Sequence, residues 1–331
     1  MNKDIYWEII EMIHEDDLKF HVPNDIDHSW AETGYFNIYV PEKNIIVWLY
    51  YVHRAGIGTT SSDVQIIDTW STSITDAVYS DMTHYNPLPK DATKFALPSG
   101  LSFEAFSLSE YHVTYSAGGI EIDVSFNAIM PPYDIHDPSM DPMAVADPEE
   151  AAANSGFGSA YSSHFDMSVR AKGTLKIGGE QYPVDCICTM DHSWGSRPEN
   201  NYQPMTWANA HFHEGYVLHA IFHFDKDAAH GEQHTFKHGY ALVDGRVRGL
   251  KAAKVYTTRN GLWPTYAEMR MTDVDDREHI VRGPMLNHQP WQIYGNNVSP
   301  MAMAQWWSPD EEGPGYGTYF EGWPLNRIRV E

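Results

Sequence analysis

The chain holds two cysteines in 331 residues, Cys186 and Cys188. They stand two apart in an apparent strand and share a face, where a disulfide would distort the backbone, so they read as two buried thiols. A zinc site would want more cysteine or a nearby histidine pair. No apolar run approaches the ~20 residues of a membrane helix, so no membrane insertion is expected. The N-terminus, MNKDIYWEIIEMIHEDD, lacks a basic stretch followed by an apolar core; no secretory signal is read, and the cytoplasm is the expected location. Basic residues are scarce: 22 Lys and Arg against 45 Asp and Glu, a net charge of −23. That balance disfavours nucleic acid and anionic membrane as partners. Gly-x-Gly-x-x-Gly after a strand, a phosphate loop and a Gly-x-Ser-x-Gly elbow are all missing, so neither a nucleotide cofactor nor that type of serine nucleophile is expected.

Long helical patterns are missing as well. A short amphipathic helix is predicted over 4–14, with Ile5, Ile9, Met12 and Ile13 on one side, and a short helical turn at 148–154. The rest reads as β. Residues 120–128 alternate strictly, with Ile120, Ile122, Val124, Phe126 and Ala128 on one face. Gly178-Gly179 and Asp244-Gly245 read as hairpin turns. Many short strands joined by hairpins predict antiparallel barrels or sandwiches.

Asp-His-Ser-Trp occurs twice, at 27–30 and 191–194, offset by 191 − 27 = 164 residues. Residues 36–53 align without internal gaps to 207–224, at an offset of 207 − 36 = 171. Both read as strand, turn, strand, so the chain resembles a duplication. The expected organisation is an N-terminal unit over 1–158 and a C-terminal unit over 159–331. The Asp-, Pro-, Ala- and Gly-rich stretch 131–163 forms the connection.

Met190-Asp-His-Ser-Trp-Gly-Ser-Arg197 is the strongest local signal for chemistry. Asp191 and His192 offer a carboxyl and an imidazole with tunable pKa values. Trp194 offers a π face that can hold a cation, and Arg197 an anion anchor or a loop pin. The bland alternative is a hydrogen-bonded structural corner, and the first copy, which lacks Gly-Ser-Arg, favours that for 27–30. His211 and His213 share one predicted strand face and His219 lies on the next strand, an arrangement that could hold iron or zinc or could simply be solvated or hydrogen-bonded. His219 would also serve proton transfer. Glu321 stands in an otherwise apolar strand, as the partner of a charge or as the base to Asp191. Trp207, Tyr216 and Tyr319 are candidates to line an apolar cavity.

The hairpin around Gly178 followed by Met190-Asp-His-Ser-Trp-Gly resembles the lipocalin-like carotenoid 1,2-hydratase (hydroxyneurosporene synthase) superfamily, in particular its poorly characterised bacterial branches. Gly315-Tyr-Gly-Thr-Tyr-Phe-Glu321 is similar to their closing strand. The resemblance is best over about 165–225 and 313–322. It implies an all-β fold of two tandem lipocalin-like antiparallel β-barrels with a ligand cavity. It also implies chemistry that needs no metal or organic cofactor: hydration of isolated alkenes or pericyclic cyclisation. In the hydratases a His and a Trp of this motif matter, which His192 and Trp194 match. A Tyr and an acidic residue on a later strand also matter, but the strand at 216–223 holds no Tyr-x-Asp pair. The leading expectation is a cofactor-independent lyase or isomerase acting on a small, largely apolar, terpenoid-like or polyketide-like molecule. Asp191, His192, Trp194, His219 and Glu321 are its catalytic candidates, and Arg197, Trp207, Tyr216 and Tyr319 its binding residues. Two alternatives stay open: a non-catalytic carrier of an apolar ligand, and a metal-dependent enzyme using His211, His213 and His219.

Overall fold

The structure, a computed structural model, describes residues 13–145, 158–197, 203–292 and 294–325. The expected helix at 4–14 falls almost wholly outside the described residues, and the helical turn at 148–154 falls outside them altogether. The described chain is all-β, with only short 3₁₀ turns besides. None of its helices is long and apolar enough to cross a membrane.

Among the described residues twenty strands make two curled antiparallel sheets. The first is built from β1 (Trp30–Val40), β2 (Ile45–Arg54), β3 (Thr59–Ile67), β4 (Tyr79–Pro87), β5 (Lys94–Ala96), β6 (Leu101–Ser107), β7 (Glu110–Ala117), β8 (Ile120–Ala128), β9 (Tyr133–Asp134), β10 (Ser163–Ile177) and β11 (Glu180–Ser196). Its order is β4-β3-β2-β1-β11-β10-β8-β7-β6-β5, with β9 beside β10. The second holds β12 (Met205–His213), β13 (Tyr216–Phe224), β14 (His234–Val243), β15 (Arg246–Asn260), β16 (Trp263–Asp273), β17 (Glu278–Pro284), β18 (Gln289–Trp291), β19 (Asn297–Trp306) and β20 (Gly315–Pro324). Its order is β17-β16-β15-β14-β13-β12-β20-β19-β18. Each sheet curls until its ends approach. In the first, Tyr79 on β4 meets Tyr115 on β7, hydroxyl to hydroxyl at 2.5 Å. In the second, bridges Arg282–Trp307 and Met285–Ala304 link β17 to β19 and its continuation. The architecture is two tandem lipocalin-like antiparallel barrels.

The hairpins form as their turn residues require. Gly178 and Gly179 (φ 58° and 93°) join β10 to β11, and Asp244 and Gly245 (φ 52° and 76°) join β14 to β15. Positive φ at both central residues matches the right-handed twist of the flanking strands. The aligned segments 36–53 and 207–224 fall on the hairpins β1–β2 and β12–β13. In each sheet the first strand of the repeat pairs with the last strand of its own sheet, β1 with β11 and β12 with β20.

The sheets divide at a different point in the chain from the expected change of unit at 158/159. Strands β10 and β11 follow that point, yet they pair with β8 and β1 in the first sheet, and the second sheet begins at β12. The two Asp-His-Ser-Trp copies consequently lie side by side, with Trp30 opposite Ser196 and Ser29 O accepting from Arg197 N at 2.8 Å. The first copy is a turn: Asp27 accepts from Ser29 N at 2.7 Å and from its hydroxyl at 2.6 Å. Cys186 and Cys188 are free thiols.

One face of the first sheet is its own apolar interior, where Phe36 packs on Phe103, Tyr111 and Phe126. The other face lies against the second sheet and is rich in polar pairs. Asn37 donates to Thr318 at 2.8 Å, Tyr50 meets Tyr294 at 2.7 Å, Ser168 meets Tyr240 at 2.8 Å, and Trp291 donates to Asp63. Burying such groups is tolerable only because each finds its partner across the interface.

The interior of the second sheet holds a buried ion pair between Arg259 and Glu321. Glu321, fully buried, takes Arg259 through two bonds of 2.6 and 2.8 Å and the Tyr319 hydroxyl at 3.0 Å. Burial works to raise its pKa, but the Arg259 guanidinium and His234 outweigh that and hold it at about 2. The folded value lies below the ordinary 4.5, so the pair stabilises the fold above that pH and its contribution is lost as pH falls toward 2. Glu321→Gln strands a buried cation and should cost about 3–5 kcal/mol in denaturant unfolding at pH 7. The gap between variant and wild type should narrow as pH drops below 4.5.

Candidate functional site

Strand β11 runs to Ser196, so the second Asp-His-Ser-Trp lies within a strand rather than at its end. Period-two alternation therefore splits it. Asp191 stands opposite Tyr35 and Asp166 in register and faces the second sheet together with Ser193. His192 stands opposite Gly34 and Phe165 and faces the first sheet's interior together with Trp194. The expectation that Asp191, His192 and Trp194 share one site thus meets a strand that sends them to two sides.

The Asp191 side is crowded with titratable groups. Asp166 is fully buried, with its Oδ2 2.9 Å from His164 Nε2 and 3.2 Å from His219 Nε2. Trp207 Nε1 donates to its Oδ1 at 3.3 Å. Burial favours protonation of Asp166, but the imidazoles of His219 and His164 outweigh it and hold the carboxyl below the usual range. His164 is raised above 6.5: burial works against its charge, and Asp166 overrides burial. Its Nδ1 is buried without a hydrogen-bond partner.

Asp191 is the opposite case. Burial is the main influence on it and lifts its pKa to about 7, assisted by Asp166 and opposed by His164 and Arg197. No hydrogen bond to its carboxyl is found among the described residues. Unlike Asp166, Asp191 retains some accessible surface.

Arg197 lies in the same region, and its partners are unusual. Its guanidinium donates to Ser193 Oγ at 2.6 Å, Tyr294 OH at 2.9 Å, Thr33 Oγ1 and Tyr50 OH at 3.3 Å, and Ala160 O at 3.2 Å. It also sits over the Tyr161 ring at 5.5 Å. All these partners are neutral.

Of the residues expected from sequence, Asp191, Arg197, Trp207 and His219 come together here. The others do not. Glu321 is spent on Arg259, and Tyr319 on Glu321; both lie on the far face of the second sheet from Trp207, since Glu321 registers with Thr206 and Trp207 with Phe320. Tyr216 packs in that interior with its hydroxyl 3.2 Å from His279 Nδ1. The ring nitrogens of His211 engage Thr189 Oγ1 at 2.8 Å and Tyr316 O at 3.0 Å, and burial lowers its pKa to about 3. The pairing slips between His211 and His213, and His213 is exposed against Glu311. Both border a cleft of about 380 Å³ with Tyr39, Arg170 and Tyr316, but they form no metal-holding trio with His219. The metal alternative built on His211, His213 and His219 is therefore not supported: both nitrogens of His211 are taken, and His219 faces Asp166.

Sequence reasoning missed His164, Asp166, Tyr50 and Tyr294. One signal was available for Asp166: it stands between Phe165 and Met167 as the lone carboxylate of its strand. Tyr294 lies 97 residues from Arg197 and carries no local signal.

Asp166→Asn should remove the influence that raises His164. In an imidazole NMR titration His164 should drop below 6.5, while wild type titrates above it.

The fold is shared with solved structures of low sequence identity. Kievitone hydratase from Nectria haematococca superposes with a TM-score of 0.53 at 11% identity, covering 96% of this chain and 93% of that one. CghA superposes with 0.54 at 13% identity, over 90% and 88%, and CghA with Sch210972 with 0.52 at 14%, over 89% and 88%. No curated protein matches the sequence. A family profile described as a domain of unknown function, DUF7064, matches residues 14–321, and the chain belongs to that family.

Proposed function

We propose that this protein is an acid–base lyase or isomerase of the hydratase or cyclase type, with its site around Asp191 on the face of β11 turned to the second sheet. The observation that carries this reading is Asp191, a carboxyl between the sheets without a hydrogen-bond partner among the described residues and with its pKa raised by burial to about 7. A carboxylic acid kept neutral near pH 7 is a competent proton donor to carbon or oxygen.

The neighbours supply the rest. His164 is oriented through Nε2 by Asp166 and keeps Nδ1 free of hydrogen bonds. Asp191 and His164 perturb each other, so the pair supplies one acid and one base near neutrality. In a hydration, Asp191 protonates the substrate, and His164 takes a proton from the attacking water, its charge supported by Asp166. Elimination runs the same steps in reverse. His219 shares Asp166 and steadies that carboxylate. Arg197, whose donors go to neutral groups among the described residues, contributes an uncompensated positive charge that favours a substrate oxygen on which negative charge develops. Trp207, Tyr35, Tyr50 and Tyr294 give aromatic surface for a small, largely apolar molecule with one such oxygen. A terpenoid-like or polyketide-like compound fits that description. The shared fold with a protein named as a hydratase favours the addition or removal of water.

Asp191→Asn should lower turnover by about 10²–10⁴-fold. The assay follows extracts incubated with protein in D₂O, reading gain or loss of one water or uptake of one solvent deuterium. Equal turnover by Asp191→Asn would sink the assignment. A second readout needs no substrate. The folded pKa of about 7 exceeds the ordinary 3.8, so wild type loses stability as pH rises between those values. The Asn variant lacks this loss: it should match wild type near pH 4 in denaturant midpoint and exceed it at pH 7.

A further inference from the structure

The face of β11 turned away from Asp191 carries its own cluster. His192 is 7% exposed, and its Nε2 is buried with no hydrogen-bond partner. Glu32 on β1, 1% exposed, registers with Trp194. Its Oε1 accepts from His21 N at 2.8 Å and from Trp30 Nε1 at 3.4 Å, and its Oε2 lies 3.2 Å from His21 Nδ1. His21 is fixed on both sides. Its ring stacks flat on Trp194 with centroids 3.7 Å apart and planes 2° apart, and its Nε2 lies 3.2 Å from Asp17 Oδ1. One donor atom each from His21, Glu32 and His192 falls within 4.8 Å of the other two.

We propose that His21, Glu32 and His192 bind one divalent transition-metal ion, with zinc as the first choice. Two imidazoles and a carboxylate are a donor set that zinc accepts, with a position left for water. The surroundings match what metal-bound histidines require. Asp17 holds the remote nitrogen of His21. A plain His21–Glu32 ion pair accounts for two of the three residues but leaves His192 Nε2 buried and unbonded; an ion between them satisfies all three. Among the described residues Glu32 has no Lys or Arg partner, so a divalent charge would also compensate a buried carboxylate. Donor atoms at about 2.0–2.2 Å from zinc stand roughly 3.4 Å apart, so the trio closes by at most about 1.5 Å on binding. His21 belongs to no strand, so its backbone can follow the ring, with Asp17, over that distance.

The test uses the full chain, stripped with a chelator, dialysed, and titrated with Zn²⁺ and separately with Co²⁺. One ion per chain is expected, with visible ligand-field bands in the Co²⁺ form. Asp17→Asn should weaken Zn²⁺ affinity about 10–100-fold, and His21→Ala and His192→Ala should weaken it further. His213→Ala, at an exposed histidine elsewhere, should leave it unchanged. Failure to take up stoichiometric Zn²⁺, or uptake that His192→Ala does not weaken, overturns the proposal. If His192→Ala does not fold, His21→Ala decides: unchanged Zn²⁺ affinity in that variant overturns the proposal equally.

Discussion

The carboxylate of Asp166 is the interaction on which the joint between the two sheets and the charge balance of the site both depend. It belongs to the first sheet, while the Trp207 indole and the His219 imidazole that meet it belong to the second. An isolated buried carboxylate would be prohibitively costly, so it persists because groups from two sheets converge on it. Its negative charge then acts on both titratable neighbours: it raises the imidazole of His164, and it adds to the burial that raises Asp191. One fixed anion thus tunes an acid and a base in the same direction.

Asp191 and Glu321 show how far environment decides the role of a carboxyl. Both are acidic residues on long strands, and on sequence they made a plausible acid–base couple. Glu321 meets a guanidinium in a two-pronged bond and stays ionised down to about pH 2. Asp191 has no such partner and stays neutral to about pH 7. The first acts as a rivet in an apolar interior, and the second is a group with a proton to give.

How much was legible in the sequence follows from the range over which each feature is specified. Alternation and turn residues act over two to ten residues, so the all-β class, the Gly178-Gly179 and Asp244-Gly245 hairpins and the repeated hairpin could be read. Strand partners separated by some 160 residues could not, because pairing of β1 with β11 depends on closure of the whole sheet. That pairing carries β10 and β11 into the first sheet, although the chain reaches them after the expected connection. The same limit applies to the site. Asp191 and Arg197 were visible as unusual residues near a strong motif, whereas Tyr50, Tyr294 and His164 reach Arg197 or Asp166 only through the fold. Asp191 lies on one face and His192 with Trp194 on the other for a local reason that could have been applied: adjacent strand residues point to opposite faces, and β11 continues through the motif instead of ending at it.

That alternation gives the motif a different meaning from the one its compactness invites. A strand between two layers presents every second residue to each layer, so four consecutive residues can serve two sites without those sites touching. Asp191 and Ser193 address the space between the sheets, where Ser193 holds Arg197. His192 and Trp194 address the interior of the first barrel, where Trp194 stacks on His21 and His192 approaches Glu32. The two sides remain mechanically coupled because they share one backbone, and β1 and β10 hold that backbone in register on either side. Any displacement of β11 that follows a change around His192 must carry Asp191 with it. His21 thereby touches, through Trp194, the same strand that carries Asp191 on its other face.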